Sequence, residues 1–180
     1  MISREDYIQL RAFARQDGLW VGLLWIATLG CFVGSIREPA LQMGFITGVM
    51  ATPFVIYFRL RRFRDGVLGG RISYGRAVTF CVMTAAYASI LTAGATLAYF
   101  YFLDDGALIN ALRNNITIPE LRESFRQTGI DPEELETEIE AIGKLRPIDF
   151  AFSIFFNGIV TSSLLGMILG LIGMRSGKRQ

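Results

Sequence analysis

Four long apolar runs, at residues 18–36, 40–58, 77–103 and 148–174, alternate with polar stretches of very different character. Each run is close to or above the ~20 residues that a helix needs to cross a bilayer. Their interiors hold no ionisable side chain; Asp149 stands only at the start of the last. The pattern predicts an all-α fold: a four-helix integral membrane protein with a short extracytoplasmic helical hairpin between the third and fourth spans.

The polar stretches give the rest of the organisation. Residues 1–17 read as a separate amphipathic helix with Ser3 as its cap and Asp6 three residues on. Tyr7, Leu10 and Ala14 share one face, and Arg4, Arg11 and Arg15 supply a cationic side. Such a helix is expected to lie on a membrane surface, or else to form a frayed leader. Glu5, Asp6 and Asp17 do not fit the basic start of a cleaved signal, so 18–36 is expected to remain as a span, anchored by Trp20. Arg37-Glu-Pro39 leaves room only for a tight turn, so the first two spans must run antiparallel. Pro53 removes a hydrogen bond from the second and is expected to kink it. Gly44 and Gly48 are four residues apart, as are Gly30 and Gly34 in the first span, a spacing that lets helix backbones approach closely, and Gly166, Gly170 and Gly173 make a smooth face in the last span. Asn157, inside the last span, is expected to hydrogen-bond across helices.

Residues 59–76 read as a basic loop. Arg59, Arg61, Arg62, Arg64, Arg71 and Arg76 stand there against the single acid Asp65. Arginine this dense between two spans is expected to stay in the cytoplasm. Asp65-Gly66 and Gly69-Gly70 are turn signals, and Ser73 is placed to cap the next helix. Ile72 and Tyr74 are placed to dip into the membrane interface. Glycines beside arginines suggest phosphate binding, but the Gly-Lys-Ser/Thr ending of a P-loop is missing and no parallel sheet is available. Attraction to anionic lipid headgroups is the expected use, at about 1 kcal/mol per arginine near the surface. Thr79, Thr84, Ser89, Thr92 and Thr96 stud the third span, which ends in the aromatic belt Tyr99-Phe-Tyr-Phe102. Hydroxyls there are expected to bond back to their own helix or to a neighbour; a polar pathway is the alternative.

Between the third and fourth spans, residues 104–147 carry ten acids against five bases. That acidity suits an external segment. Thr117-Ile-Pro-Glu120 and Asp131-Pro-Glu-Glu134 look like two helix starts, with Gly129 and Gly143 as stops. Leu121 and Phe125 form one narrow apolar stripe; Leu135, Ile139 and Ile142 form another. The tail, 175–180, is basic.

Composition agrees with this layout. The 180 residues are 52% hydrophobic and 19% charged, too apolar for a soluble domain. The net charge of +2 says little, because bases and acids occupy different segments. There is no histidine, and the two cysteines, Cys31 and Cys81, both lie within apolar runs. A disulfide, a Cys/His metal site and a histidine general base are therefore not expected, and no cofactor, metal or nucleic-acid partner is implied.

The stretch Gly69-Gly-Arg-Ile-Ser-Tyr-Gly-Arg-Ala77 carries a resemblance. Its motif residues are Gly70, Ile72, Ser73, Tyr74, Gly75 and Ala77, within Gly-Gly-x-Ile-Ser-Tyr-Gly-x-Ala. With Phe102-Leu-Asp104, the acidic helices and the final span in the same order, the chain resembles an uncharacterised family of bacterial membrane proteins, domain-of-unknown-function family 4199. That family often has proline soon after the aspartate, whereas Asp105-Gly106 stands here. The resemblance implies the four-span layout and no established activity.

The leading functional expectation is a non-enzymatic membrane protein that assembles with itself or with other envelope proteins. Its setting would be the bacterial inner membrane, with N and C termini cytoplasmic and anionic lipid headgroups at the basic loop. A small oligomeric permease is the alternative, although transporters usually place ionisable groups in their spans. An intramembrane enzyme is third, with Asp104, Asp105 and Asp149 near one interface as its only candidate acids. The topology has a direct test. A cysteine placed at Arg62 should resist an impermeant thiol reagent in intact cells, and one at Glu136 should react once the outer membrane is permeabilised; the opposite pattern would reverse the orientation.

Overall fold

Small side chains recur every three or four positions along the third apolar run, and that face becomes the spine of the molecule. In the computed structural model, which describes residues 4–175, this run is one helix, Tyr74–Phe102. Ala77, Cys81, Thr84, Ala85, Ala88, Ser89, Thr92 and Thr96 are buried along it, with Phe80 at the arginine-bearing end. In chain order the helices are α1 (Arg4–Gly34), α2 (Leu41–Val67), α3 (Tyr74–Phe102), α4 (Ala107–Ile116), α5 (Pro119–Gln127), α6 (Pro132–Gly143) and α7 (Pro147–Gly173). α1, α2, α3 and α7 are each long and apolar enough to cross a membrane. The chain is thus an all-α, multi-pass membrane protein. α3 packs along its length against α1 and α7, whereas α2 packs mainly on α1 and touches α3 and α7 only briefly.

Close approach explains this arrangement. A β-carbon at Gly18 of α1 would lie 2.6 Å from Tyr87 Cβ and 2.8 Å from the Thr84 carbonyl oxygen of α3. One turn on, a β-carbon at Gly22 would meet Leu91 and the Ala88 backbone. On the other side of α3, Gly158 sits against Ser89, Gly166 against Cys81 and Val82, and Gly170 against Val78 and Tyr74. Gly44 and Gly48 of α2 face Cys31 and Thr28 of α1. In lipid such backbone proximity supplies the attraction that water supplies elsewhere.

Several expected boundaries move. The leader and first span form one continuous helix, because Gly18 is used for packing and Asp17 is buried rather than ending a helix. The proposed Ser3 cap lies outside the described residues, as do the tail residues Lys178 and Arg179. α2 runs nine residues past the expected end at Phe58, so Arg59, Arg61, Arg62 and Arg64 are helical, not in a loop. The reason is a stripe of Ile56, Leu60 and Phe63 that stays buried while the outer face turns basic. Asp65-Gly66 is therefore helical too, and the turn falls at Gly69 and Gly70, whose φ values of 63° and 84° suit glycine alone.

The segment between α3 and α7 holds three helices where two starts were read. α4 is additional: Leu108, Leu112 and Ile116 repeat at i, i+4 and i+8, and the Asp104 carboxylate accepts from the Leu108 amide (3.1 Å). Asp131 caps α6 as expected, accepting from the Glu133 amide (3.0 Å). Thr117 instead closes α4, donating to the Asn114 carbonyl (2.7 Å), and Ile118 takes the cap position of α5. Gly143 ends α6 where a β-carbon would lie 3.2 Å from Ile109 of α4. Arg122 and Glu136 (3.5 Å) tie α5 to α6.

The glycine contacts generate a paired prediction. Gly18→Val should push α1 off α3 and destabilise the protein by about 1–3 kcal/mol. Gly30→Val, where a β-carbon meets nothing within 4 Å, should leave thermal unfolding in detergent unchanged. Equal effects at both positions would remove the close α1–α3 approach as the organising contact.

Candidate functional site

The arginine-bearing end of the bundle is the one place where charge, burial and the sequence motif converge. Phe63 of α2 lies between Phe13 of α1 (ring centroids 5.5 Å apart) and Phe80 of α3, on which it stacks at 4.7 Å. Leu10, Ala14, Leu60, Ile72, Ala77 and Leu169 are buried in the same core. Around this apolar plug the arginines take distinct roles.

Arg64 is only 3% exposed. Its Nε and Nη2 donate to the two carboxylate oxygens of Asp65 (2.7 and 3.0 Å), and its Nη1 donates to the Gly173 carbonyl (2.9 Å). A guanidinium thus closes the C-terminal end of α7, where helix carbonyls lack partners. Arg59 donates to Asp17 (3.3 Å) and lies 5.6 Å over the Trp20 ring. Arg76 donates to Asp6 (3.0 Å). Arg61 reaches Asp65 at 3.4 Å from the surface. Arg62 and Arg71 are exposed; Arg62 lines one cavity with the Asp17 carboxylate.

The motif has clear structural roles at Gly70, Ile72 and Ala77. Gly70 turns the chain and donates its amide to the Arg64 carbonyl (2.9 Å). Ile72 is buried, and its backbone pairs in both directions with Arg175 (3.2 and 3.1 Å). It therefore joins the loop to the end of α7 instead of dipping into the membrane interface. Ser73 occupies the N-cap of α3, but its side chain makes no capping bond. Tyr74 packs near Gly170, Gly75 is open, and Ala77 is fully buried.

Farther along the spans the polar groups are mostly spoken for. Thr92 and Thr96 donate to the carbonyls of Ala88 and Thr92 (both 2.9 Å), and Trp25 donates to Thr52 (3.2 Å) across α1 and α2. The buried Thr84 and Ser89 hydroxyls have no hydrogen-bond partner among the described residues. Asn157 departs from expectation: it is exposed on α7 and makes no interhelical hydrogen bond among the described residues. The three acids near the other end do not assemble a site. Asp104 accepts from Tyr99 (2.9 Å) and from the α4 backbone, while Asp149 caps α7 through the Arg146 amide and guanidinium. Among the described residues no group of three metal-ligating side chains forms, and both cysteines are free.

This junction of basic helix, motif loop and last span lies within a match to the family model described as "Protein of unknown function (DUF4199)", which covers residues 16–175. The chain belongs to the DUF4199 family. No curated protein and no solved structure matches it. The match bears out the DUF4199 resemblance read along nearly the whole chain, and the motif gains a physical account: Gly70 and Ile72 bind the arginine end of α2 to the terminus of α7.

Sequence reasoning missed Arg64 as a distinct residue, since nothing in its type separates it from its five neighbours; only its position one residue after the buried Phe63 hinted at it. Arg64→Leu should strand the Gly173 carbonyl and lower the melting temperature in detergent by about 5 °C. Arg61→Gln, at an exposed pair, should change it far less. Equal melting of the two variants would remove the capping role.

Proposed function

We propose that this DUF4199 protein is a non-enzymatic assembly protein of the bacterial inner membrane, with both termini in the cytoplasm, and that α7 is its contact helix. The observation that carries this reading is the position of Asn157. It lies three residues from the midpoint of the 27-residue α7, hence about 5 Å along the axis from it. A span of that length places the residue within the hydrocarbon. Its carboxamide faces outward, with exposed Ser153 and Thr161 one turn away on either side.

An amide facing lipid without a partner costs several kcal/mol. A helix from another chain relieves that cost. Asparagine carries both donors and an acceptor, so two copies related by a twofold axis satisfy each other, as closed symmetry favours. Exposed Phe156, Val160 and Leu164 flank the amide with surface to pack. The transport alternative draws no comparable support, because Thr92 and Thr96 return their hydroxyls to their own helix.

Cysteine cross-linking in native membranes tests this. In a variant lacking Cys31 and Cys81, single cysteines at Ser153, Asn157 and Thr161 should form disulfide-linked dimers, and one at the exposed Val49 of α2 should not. Asn157→Leu should weaken dimerisation by roughly threefold to thirtyfold, given about 0.6–2 kcal/mol for such bonds in membranes. Cross-linking that ignores position, or an unchanged dimer in Asn157→Leu, would defeat the proposal.

A further inference from the structure

We infer that the cleft between α1 and α2 at the arginine-bearing end binds a small zwitterion, an ammonium joined through a few bonds to a phosphate, with Asp17 taking the ammonium and Arg62 the phosphate. This goes beyond the assembly reading and does not rest on it. A cavity of about 250 Å³ opens there. Phe13, Gln16 and Asp17 of α1 form one wall, and Arg62, Phe63, Gly66 and Val67 of α2 form the other. The volume is below the ~300–1,000 Å³ of pockets for drug-sized molecules, so it suits a group of few atoms.

Opposite charges stand on the two walls without closing on each other. Asp17 is 7% exposed. Its Oδ1 accepts from Arg59 (3.3 Å), whereas its Oδ2 accepts no hydrogen bond among the described residues. Arg62 attracts that carboxylate across the cavity but forms no ion pair with it within 4.0 Å. The Arg62 guanidinium and the Gln16 amide donate no hydrogen bond among the described residues. A carboxylate buried this far, with one oxygen unmet, calls for a donor. The guanidinium presents a fork that matches two phosphate oxygens. A purely anionic ligand would meet Arg62 but set its charge beside Asp17. A purely cationic one would meet Asp17 but lie beside Arg59 and Arg62. A zwitterion satisfies both walls and leaves the net charge of the cleft unchanged.

The cleft lies where such groups are presented. Seventeen residues separate Asp17 from Gly34 at the far end of α1, or about 26 Å of helix. That is close to the ~30 Å of hydrocarbon in a bilayer, which puts the cleft at headgroup depth. The phosphoethanolamine head of a lipid has the required chemistry at this level, and soluble phosphoethanolamine shares it. Phosphocholine does not, because its methylated nitrogen has no N–H to offer the Asp17 oxygen. Gly66 gives a way to fill the cavity without disturbing the fold. A β-carbon there meets nothing within 4 Å, and leucine forms helix better than glycine.

The test is lipid retention by the full chain in mild detergent, read by native mass spectrometry after incubation with equal phosphatidylethanolamine, phosphatidylcholine and phosphatidylglycerol. One phosphatidylethanolamine should be retained over either of the others by about tenfold, as expected for one charge-assisted hydrogen bond. Arg62→Gln should lower its retention about tenfold. Gly66→Leu should lower it as far while keeping or raising the melting temperature, and Arg71→Gln, outside the cavity, should leave it unchanged. Equal retention of the ethanolamine and choline lipids, preference for phosphatidylglycerol, or undiminished retention in Gly66→Leu would overturn the site. So would a loss in Arg71→Gln equal to that in Arg62→Gln. Excess soluble phosphoethanolamine then separates the two sources: displacement of the retained lipid supports a site for the zwitterion alone, and resistance supports a site for the whole lipid.

Discussion

The structure depends on how closely α3 can be approached. Water does not drive helices together inside a bilayer, so backbone proximity and interhelical polar contacts must do so. α3 offers a face of alanine, serine, threonine and cysteine; α1 and α7 answer with Gly18, Gly22, Gly158, Gly166 and Gly170. A side chain on Gly18, Gly22, Gly158 or Gly170 collides, in the case of Gly18 with a carbonyl oxygen that cannot step aside, and one on Gly166 crowds Cys81 at 3.2 Å. α2 has less of this chemistry. It meets α1 through Gly44 and Gly48, and reaches the others chiefly at the arginine end. That end is consequently where all four long helices are joined.

The joining explains why a stretch so rich in arginine is partly buried. A helix that leaves the hydrocarbon while still packed against its neighbours must bury one face and wet the other. Leu60 and Phe63 take the first role, Arg61 and Arg62 the second. Arg64 stands between them and is retained inside because two kinds of acceptor meet it, the Asp65 carboxylate and the final carbonyl of α7. The Ile72–Arg175 backbone pair then links the loop to the same helix end. Charge here is divided between structural pairs and exposed cations.

Hydropathy made the four spans legible, since nothing but apolar sequence can fill them, and the motif made the family legible. Helix ends were less visible. A fall in hydropathy at Arg59 marks the edge of the apolar run, not the end of the helix, because arginine is a good helix former and the buried stripe continues. Asp17-Gly18 looked like a break for the same reason: a local reading of the pair sees turn chemistry, while the fold uses the carboxylate for Arg59 and the missing β-carbon for α3. α4 escaped notice because its start is supported from outside the helix, by Asp104, instead of by a capping residue at its own first turn. The fates of three of the six arginines, Arg59, Arg64 and Arg76, depend on partners 42 to 109 residues distant, which no local pattern encodes.

Asn157 and the threonines of α3 show the same rule from two sides. A hydroxyl can fold back onto its own helix, and Thr92 and Thr96 do so, which lets them be buried without a partner helix. A carboxamide carries two donors as well as an acceptor, and no helix backbone within reach has donors to spare. Its position on the outer face of α7 thus makes a demand that the single chain does not meet, whereas the buried face of the same helix is met by Ser89, Cys81 and Val78. The inward face of the span is spent on packing, and the proposed association would use the outward face, so the two can be altered independently.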